Sequence, residues 1–392
     1  MEITFDKGLW VEDPEDVEKL SRDFFGDRVG KKITLLPEEA LYLILFRNAI
    51  VKDIKGKELD FNEVASRFDK ENRLFIRYNA YRDWRDRGLI IRRMNPSMIS
   101  KHTKKNYKKY PSGKAKKENL KAKAYWYDDS MFSVLEDDSL GKYLFEEYWI
   151  GQYGIYKQDR GNQSKLSSFE TIYLAKHFGL EIIDSHSGKK ITAGRLLKNL
   201  DKRREYFKQL YEIYEDWRMK GYVVKTGFKF GSHFRIYFPG ASPTKSGQWI
   251  HSKHVLHVFP KEQKLLISEW SRAVRVAHGV RKTFILGIPE LAKKDIIDYP
   301  SDFMAYRRVK QHGIFVRETP KDKPRYLLAA VGEDELIGGI ELASLLEKAK
   351  DMGLNLLLSI TDRETSITYY VLKKIVLPNS KYDYYEIEWF KP

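Results

Sequence analysis

YRDWRDRGLIIRR, residues 81–93, returns as YEDWRMKGYVVKT, residues 214–226, in the order aromatic, acid, Trp, Arg, a basic residue, Gly and a β-branched run. Glycine tolerates the left-handed turn that ends a helix and β-branched residues favour strands. Each copy therefore predicts a helix that stops at Gly88 or Gly221 and feeds a strand. The likeness extends upstream: ALYL at Ala40–Leu43 matches TIYL at Thr171–Leu174, and IVKDIKGKEL from Ile50 matches IIDSHSGKKI from Ile182, at an offset near 132 residues. Residues 1–95 and 128–226 are expected to be two copies of one small mixed helix-and-strand domain.

Between the copies runs KHTKKNYKKYPSGKAKKENLKAKA, residues 101–124, with one acid, Glu118, and a Pro-Ser-Gly break. Residues 96–127 read as a linker or exposed insertion. Its lysines, Lys114, Lys116 and Lys117 among them, either are solvated or contact phosphates of a nucleic acid.

A second domain type follows over residues 227–290. HSKHVLHVFP alternates as strands do, Leu266, Trp270, Ala273, Val274 and Ala277 recur at helical spacing, and TFILGI has the pattern of a buried strand. Residues 300–380 repeat that strand, helix, strand order in YLLAAVGEDELIGGIELASLLEKAKDMGLNLLLSI, with Glu341 where Glu269 falls, Glu347 opposite Arg275 and Leu354 opposite Lys282. The scaffold is kept and its basic residues are lost. TSITYYVLKKIVLP and KYDYYEIEWFKP are both paired-aromatic strands closing on proline, and the second, within 381–392, is expected to complete the 227–290 domain in a permuted order.

The 392 residues exceed one core, since domains run to about 100–150 residues. Seventy-one Lys and Arg against 55 acids give a formal charge of +16, which draws the molecule to polyanions. The absence of cysteine excludes disulfides, thiolate zinc sites and cysteine nucleophiles. No segment has signal-peptide character or approaches the ~20 apolar residues of a membrane span, so a cytoplasmic location away from membranes is expected.

No phosphate-binding GxxxxGK[ST] loop, dinucleotide GxGxxG or HExxH is present, so no nucleotide, metal or other cofactor is implied. His251, His254 and His257 are spaced by threes, and on a strand His254 points away from the other two, which denies them one shared ion. Tyr237, His251 and Lys282 together offer what metal-free RNA cleavage needs: a base for the 2′ hydroxyl, an acid for the leaving 5′ oxygen and a cation for the charge growing on phosphorus. Tyrosine, with an ordinary pKa near ~10, is a poor base unless neighbouring cations lower it.

KTGFKFGSHFRIY (225–237), HSKHVLHVF (251–259) and RAVRVAHGVRKT (272–283) resemble the signature of the archaeal tRNA-splicing endonuclease family, and the two N-terminal copies resemble its smaller amino-terminal domain. The resemblance implies an α+β (mixed α/β) fold of two small N-terminal-type domains and two nuclease-type domains, the 300–380 one degenerate and non-catalytic. It implies Tyr237 as general base, His251 as general acid and Lys282 as transition-state stabiliser, leaving a 2′,3′-cyclic phosphate and a 5′ hydroxyl. It also implies that Arg275 and Trp389 hold a bulged base of a bulge-helix-bulge precursor tRNA between them, although Trp389 alone also reads as a packed strand end. The TDRET loop, with Asp362 and Glu364, stands where the family docks one subunit into another. With one active site per chain and two cuts per intron, a homodimer of the three-unit permuted type is expected. The rival readings are a non-catalytic RNA-binding or structural subunit and a metal-dependent nuclease; the intact triad speaks against the first, and the lack of a spaced carboxylate cluster against the second.

Overall fold

The repeated Trp-Arg helices each join a small sheet to a large one. A computed structural model describes residues 1–68, 73–95, 107–113, 118–156, 158, 160–244 and 251–392. Two six-stranded sheets share one topology. The first runs Asp27–Val29, Lys32–Leu35, Leu9–Val11, Glu2–Phe5, Ile50–Asp53, Glu58–Leu59. The second runs Gln152–Tyr153, Ser164–Ser167, Phe132–Leu135, Lys123–Tyr127, Glu181–Asp184, Lys190–Ile191. Each has a parallel pair at its middle, Glu2–Phe5 on Ile50–Asp53 and Lys123–Tyr127 on Glu181–Asp184.

The repeated motif works the same way in both copies. Helix α1 (Leu74–Asp86) carries Arg85, whose guanidinium donates to the carbonyls of Asp23 and Phe24 just past a helix end. Helix α2 (Phe207–Met219) carries Arg218, which donates to the carbonyls of Tyr148 and Trp149. Helix ends leave carbonyls without partners, and a buried cation satisfies them. Gly88 and Gly221 turn out of the helices at φ +70° and +80°, the left-handed region that glycine enters without strain.

The large sheet contains β1 (Ile91–Arg93), β2 (Val223–Thr226), β3 (Phe234–Tyr237), β4 (His254–Val258), β5 (Thr283–Ile288), β6 (Phe303–Ala305), β7 (Tyr326–Gly332), β8 (Asn355–Thr361), β9 (Ile367–Val376) and β10 (Asp383–Phe390). Their spatial order is β2-β3-β4-β5-β10-β9-β8-β7-β6-β1, which reads alike from either end: two five-stranded halves meet at the antiparallel β9–β10 pair. Within each half one pair is parallel, β4 with β5 and β7 with β8, joined by α3 (Ile267–Gly279) and α4 (Gly339–Asp351). Residues 254, 267 and 283 start β4, α3 and β5, and 326, 339 and 355 start β7, α4 and β8, a constant shift of 72. Glu347 and Leu354 thus stand at the positions of Arg275 and Lys282.

Strand β10 pairs with β5, Phe284 opposite Ile387, and not only with its neighbour in sequence. Strand β2 follows the second small sheet into one half, and β1 follows the first small sheet into the other. The buried Trp217 packs edge-on against Tyr384 of β10 at 5.2 Å, while Trp84 packs against Tyr369 of β9 at 5.4 Å.

The stretch assigned to a linker is partly built into the fold. Lys123–Tyr127 is a central strand of the second small sheet. Lys108–Lys109 pairs with Ile375–Val376, and Tyr110 is buried at 3% exposure with its hydroxyl 2.5 Å from Glu386. Two aromatic residues in the lysine run, Tyr107 and Tyr110, already set it apart from a purely polar tether. Among the described residues, no helix is long and apolar enough to cross a membrane.

Candidate active site

Strand β3 alternates its faces. Phe234 and Ile236 enter the core shared with α2, which turns Arg235 and Tyr237 to the other side. In the antiparallel register Ile236 faces His254, so Tyr237 comes level with Lys253, and the Thr283 amide donates to the Lys253 carbonyl from β5. Sheet pairing therefore puts the end of β3, the start of β4 and the residue before β5 in one row. Tyr237 occupies the first, His251 and Ser252 precede the second, and Lys282 occupies the third.

Ser252 ties the row together. The Lys282 ammonium donates to the Ser252 carbonyl. The Ser252 side chain lies beside the Tyr237 phenol and favours its ionised form. His251, one residue earlier, is exposed and lines with Tyr237 a pocket of about 350 Å³ whose other walls include Pro111, Ser112, Gly113 and Lys253. The three residues singled out in the sequence thus gather around one serine.

The electrostatics are uneven. Burial pushes the Tyr237 phenol above its ordinary value, and Arg235 and Ser252 only partly offset this. Arg235 lies 5.9 Å from the Tyr237 ring and donates to the Thr226 carbonyl at 2.7 Å. Lys282 is drawn below its ordinary value by burial and then by Arg235, and it sits 5.3 Å over the Phe230 ring. Trp149, from the second small sheet's domain, closes on Tyr237 at 4.6 Å. Arg235, Ser252 and Trp149 were not singled out in the sequence. Arg235 was legible as the residue two before Tyr237 on a strand, whereas Trp149 lies 88 positions away with no local signal.

The remaining candidates are placed as follows. His254 packs against Tyr110 and edge-on against Phe238 on one side of β4, and His257 against His233 on the other, with His251 before the strand; the three do not converge. Burial pushes His254 down to about 3 and His257 down to about 4, so both are neutral at physiological pH. Arg275 is exposed on α3, and Trp389, 48% exposed, meets the His278 ring edge-on at 5.8 Å, one helical turn beyond Arg275. Trp389 is a half-open side chain rather than a packed strand end. Among the described residues the ring contact of Trp389 is with His278, not with Arg275. Asp362 spends its carboxylate inside its turn, accepting from the Glu364 and Ser366 amides, while Glu364 is exposed. Lys114, Lys116 and Lys117 lie outside the described residues; Pro111 to Gly113, just before them, line the Tyr237 pocket.

The chain is similar to known proteins. Residues 207–296, from α2 through β5, match the model of the tRNA intron endonuclease catalytic C-terminal domain. The tRNA-splicing endonuclease of Methanopyrus kandleri is 35% identical over 166 residues, 42% of this chain and 87% of that protein. That of Pyrococcus abyssi is 31% identical over 151 residues, 38% of this chain and 82% of the relative. That of Thermococcus kodakarensis is 39% identical over 124 residues, 31% and 68% of the two chains.

Proposed function

Because this chain belongs to the tRNA-splicing endonuclease family, we propose that it cleaves precursor tRNA at bulge-helix-bulge junctions without a metal, leaving 2′,3′-cyclic phosphate and 5′-hydroxyl ends. The observation that carries this reading is the Ser252 junction, which brings Tyr237 and Lys282 to the residue beside His251. Tyr237 takes the 2′ hydroxyl proton, His251 protonates the leaving 5′ oxygen, and Lys282 with its fixed charge meets the negative phosphorane. Burial leaves Tyr237 protonated in the free protein, so its activation falls to the cations beside it and to closure of the site around RNA. Arg275 and Trp389 project on the exposed side of α3 and β10 and hold a bulged base between them, a stacking tolerant of sequence.

The mirrored sheet supports a two-unit division. Residues 123–290 with β10 form the active unit; residues 1–95 with 300–376 form the degenerate one, in which Leu354 replaces the lysine. One site per chain and two junctions per intron make a permuted homodimer the economical assembly, with the Asp362–Glu364 turn as its docking element. The test incubates precursor tRNA with the protein in excess EDTA and maps the product ends. Cyclic-phosphate ends at both junctions are expected; no cleavage, or 3′-hydroxyl ends, overturns the proposal.

A further inference from the structure

The loop that carries His251 in one half of the large sheet is replaced in the other half by a protruding β-hairpin. It lies between β6 and β7 and consists of Arg308–Gln311 paired with Ile314–Arg317 as a separate two-stranded sheet. Every residue from Ile314 to Arg317 is exposed, Ile314 at 70% and Phe315 at 69%. Residues 307–317, RRVKQHGIFVR, contain three arginines and a lysine but no acid.

The register sorts these side chains. Arg308 faces Arg317 and Lys310 faces Phe315, so one face presents three cations around an open phenyl ring. Like charges opposite each other weaken a hairpin, and here the two arginines are accommodated by donating to the Arg87 and Gly88 carbonyls at the end of α1. Lys310 and Phe315 are left pointing outward. A hairpin that keeps a repulsive pair and an exposed aromatic ring on one face points to a use for that face.

Resting on the family reading above, we propose that this hairpin is a second RNA-holding surface. Lys310 and the arginines meet the phosphate backbone of precursor tRNA, and Phe315 stacks on an unpaired base, away from the cut. The face is cationic and free of acids, which fits a polyanion; two copies meeting through the same face would bring like charges together. Seven strand spacings of ~4.8 Å separate β6 from β3, so the hairpin lies roughly 30 Å from the Tyr237 site, within the reach of one folded tRNA but beyond a duplex trimmed to a few base pairs on either side of its bulges.

The test compares full-length precursor tRNA with a minimal bulged duplex, using enzyme titrations under single-turnover conditions for wild type, Lys310→Glu and Phe315→Ala. Both side chains are exposed, so neither change disturbs a core. The expected result is about a fivefold to tenfold rise in half-saturating enzyme concentration on the precursor, with the preference for precursor over duplex lost, and a smaller salt dependence for Lys310→Glu. An unchanged preference in both variants overturns the proposal. Equal weakening on both RNAs together with a lower sedimentation coefficient also overturns it, and assigns the hairpin to a contact between chains. If wild type cuts neither RNA, the proposed activity fails, and the hairpin is then judged from anisotropy binding of the same labelled precursor by the three proteins.

Discussion

Tyr384 donates a 2.7 Å hydrogen bond to Asp216, and Tyr369 makes the equivalent 2.8 Å bond to Asp83. The acid and Trp of each repeated motif thus clasp one of the two paired-tyrosine strands. The second N-terminal copy holds β10, the last strand, and the first copy holds β9. The Tyr384 bond is buried and its acceptor is a carboxylate, so Tyr384→Phe is expected to cost about 2 kcal/mol by leaving Asp216 with one partner fewer. Urea unfolding checks it; a loss below 0.5 kcal/mol, as an order of magnitude for exposed sites, would count against the clasp.

His251→Ala and Lys282→Ala are each expected to lower single-turnover cleavage by roughly 100-fold or more, the usual size of a general-acid or charge-stabilising contribution. Filter binding of the same RNA should change little. Wild-type rates in either variant would show that the wrong side chains were chosen.

The pH dependence follows from opposed shifts. Tyr237 is raised by burial, so its phenolate grows only as pH climbs; Lys282 is lowered by burial and Arg235, so its charge is lost earlier than for a free lysine. The phenolate gained by Tyr237 as pH climbs is offset by the proton His251 must keep to act as the acid, so the rate should show an alkaline fall as Lys282 deprotonates. Lys282→Arg keeps its charge and should push that alkaline fall to higher pH, read from single-turnover rates across the pH range. An unmoved alkaline limb would assign it to another group.

Glu170 caps its helix through the Ser167 amide, accepts from the Gly151 amide and pairs with Lys225 at 2.8 Å. Burial opposes its charge, but Lys225 and Arg218 outweigh that and hold it at about 2. Burial also draws Lys225 below its usual value, so part of the pair's gain is spent on desolvating the lysine. A depressed carboxyl contributes stability above its unfolded pKa of about 4.5, lost as pH falls towards 2. Glu170→Gln is expected to cost about 3 kcal/mol at neutral pH, because it leaves a buried lysine unpaired, and the gap to wild type should narrow below pH 4. Thermal unfolding of both proteins at pH 7 and pH 3 decides; a constant gap would mean that charge is not what Glu170 supplies.

Glu364 is exposed at the tip of the turn whose backbone Asp362 holds. Glu364→Lys should therefore keep the turn and shift a sedimenting dimer towards monomer at micromolar concentration. A dimer of unchanged strength would remove this turn from the docking role.

The sequence by itself determined what is local or periodic. The doubled Trp-Arg-Gly motif predicted two like helices and strands, and Phe207–Met219 and Leu74–Asp86 are such helices. The spacing of Glu341, Glu347 and Leu354 announced a second scaffold without its lysine, because helical and strand periods fix which residues share a face. Tyr237, His251 and Lys282 were singled out from motif order alone. Tertiary structure decided what depends on pairing between distant segments. The row from Tyr237 through Lys253 to Lys282 exists only because β3, β4 and β5 hydrogen-bond in one register, and Ser252 gains its place from that register rather than from any local preference. Burying Tyr110 anchored half of a lysine run that composition had marked as solvent. Burial also set the ionisation of Tyr237, since a side chain loses its water only when elements far apart in the chain, Trp149 among them, close over it.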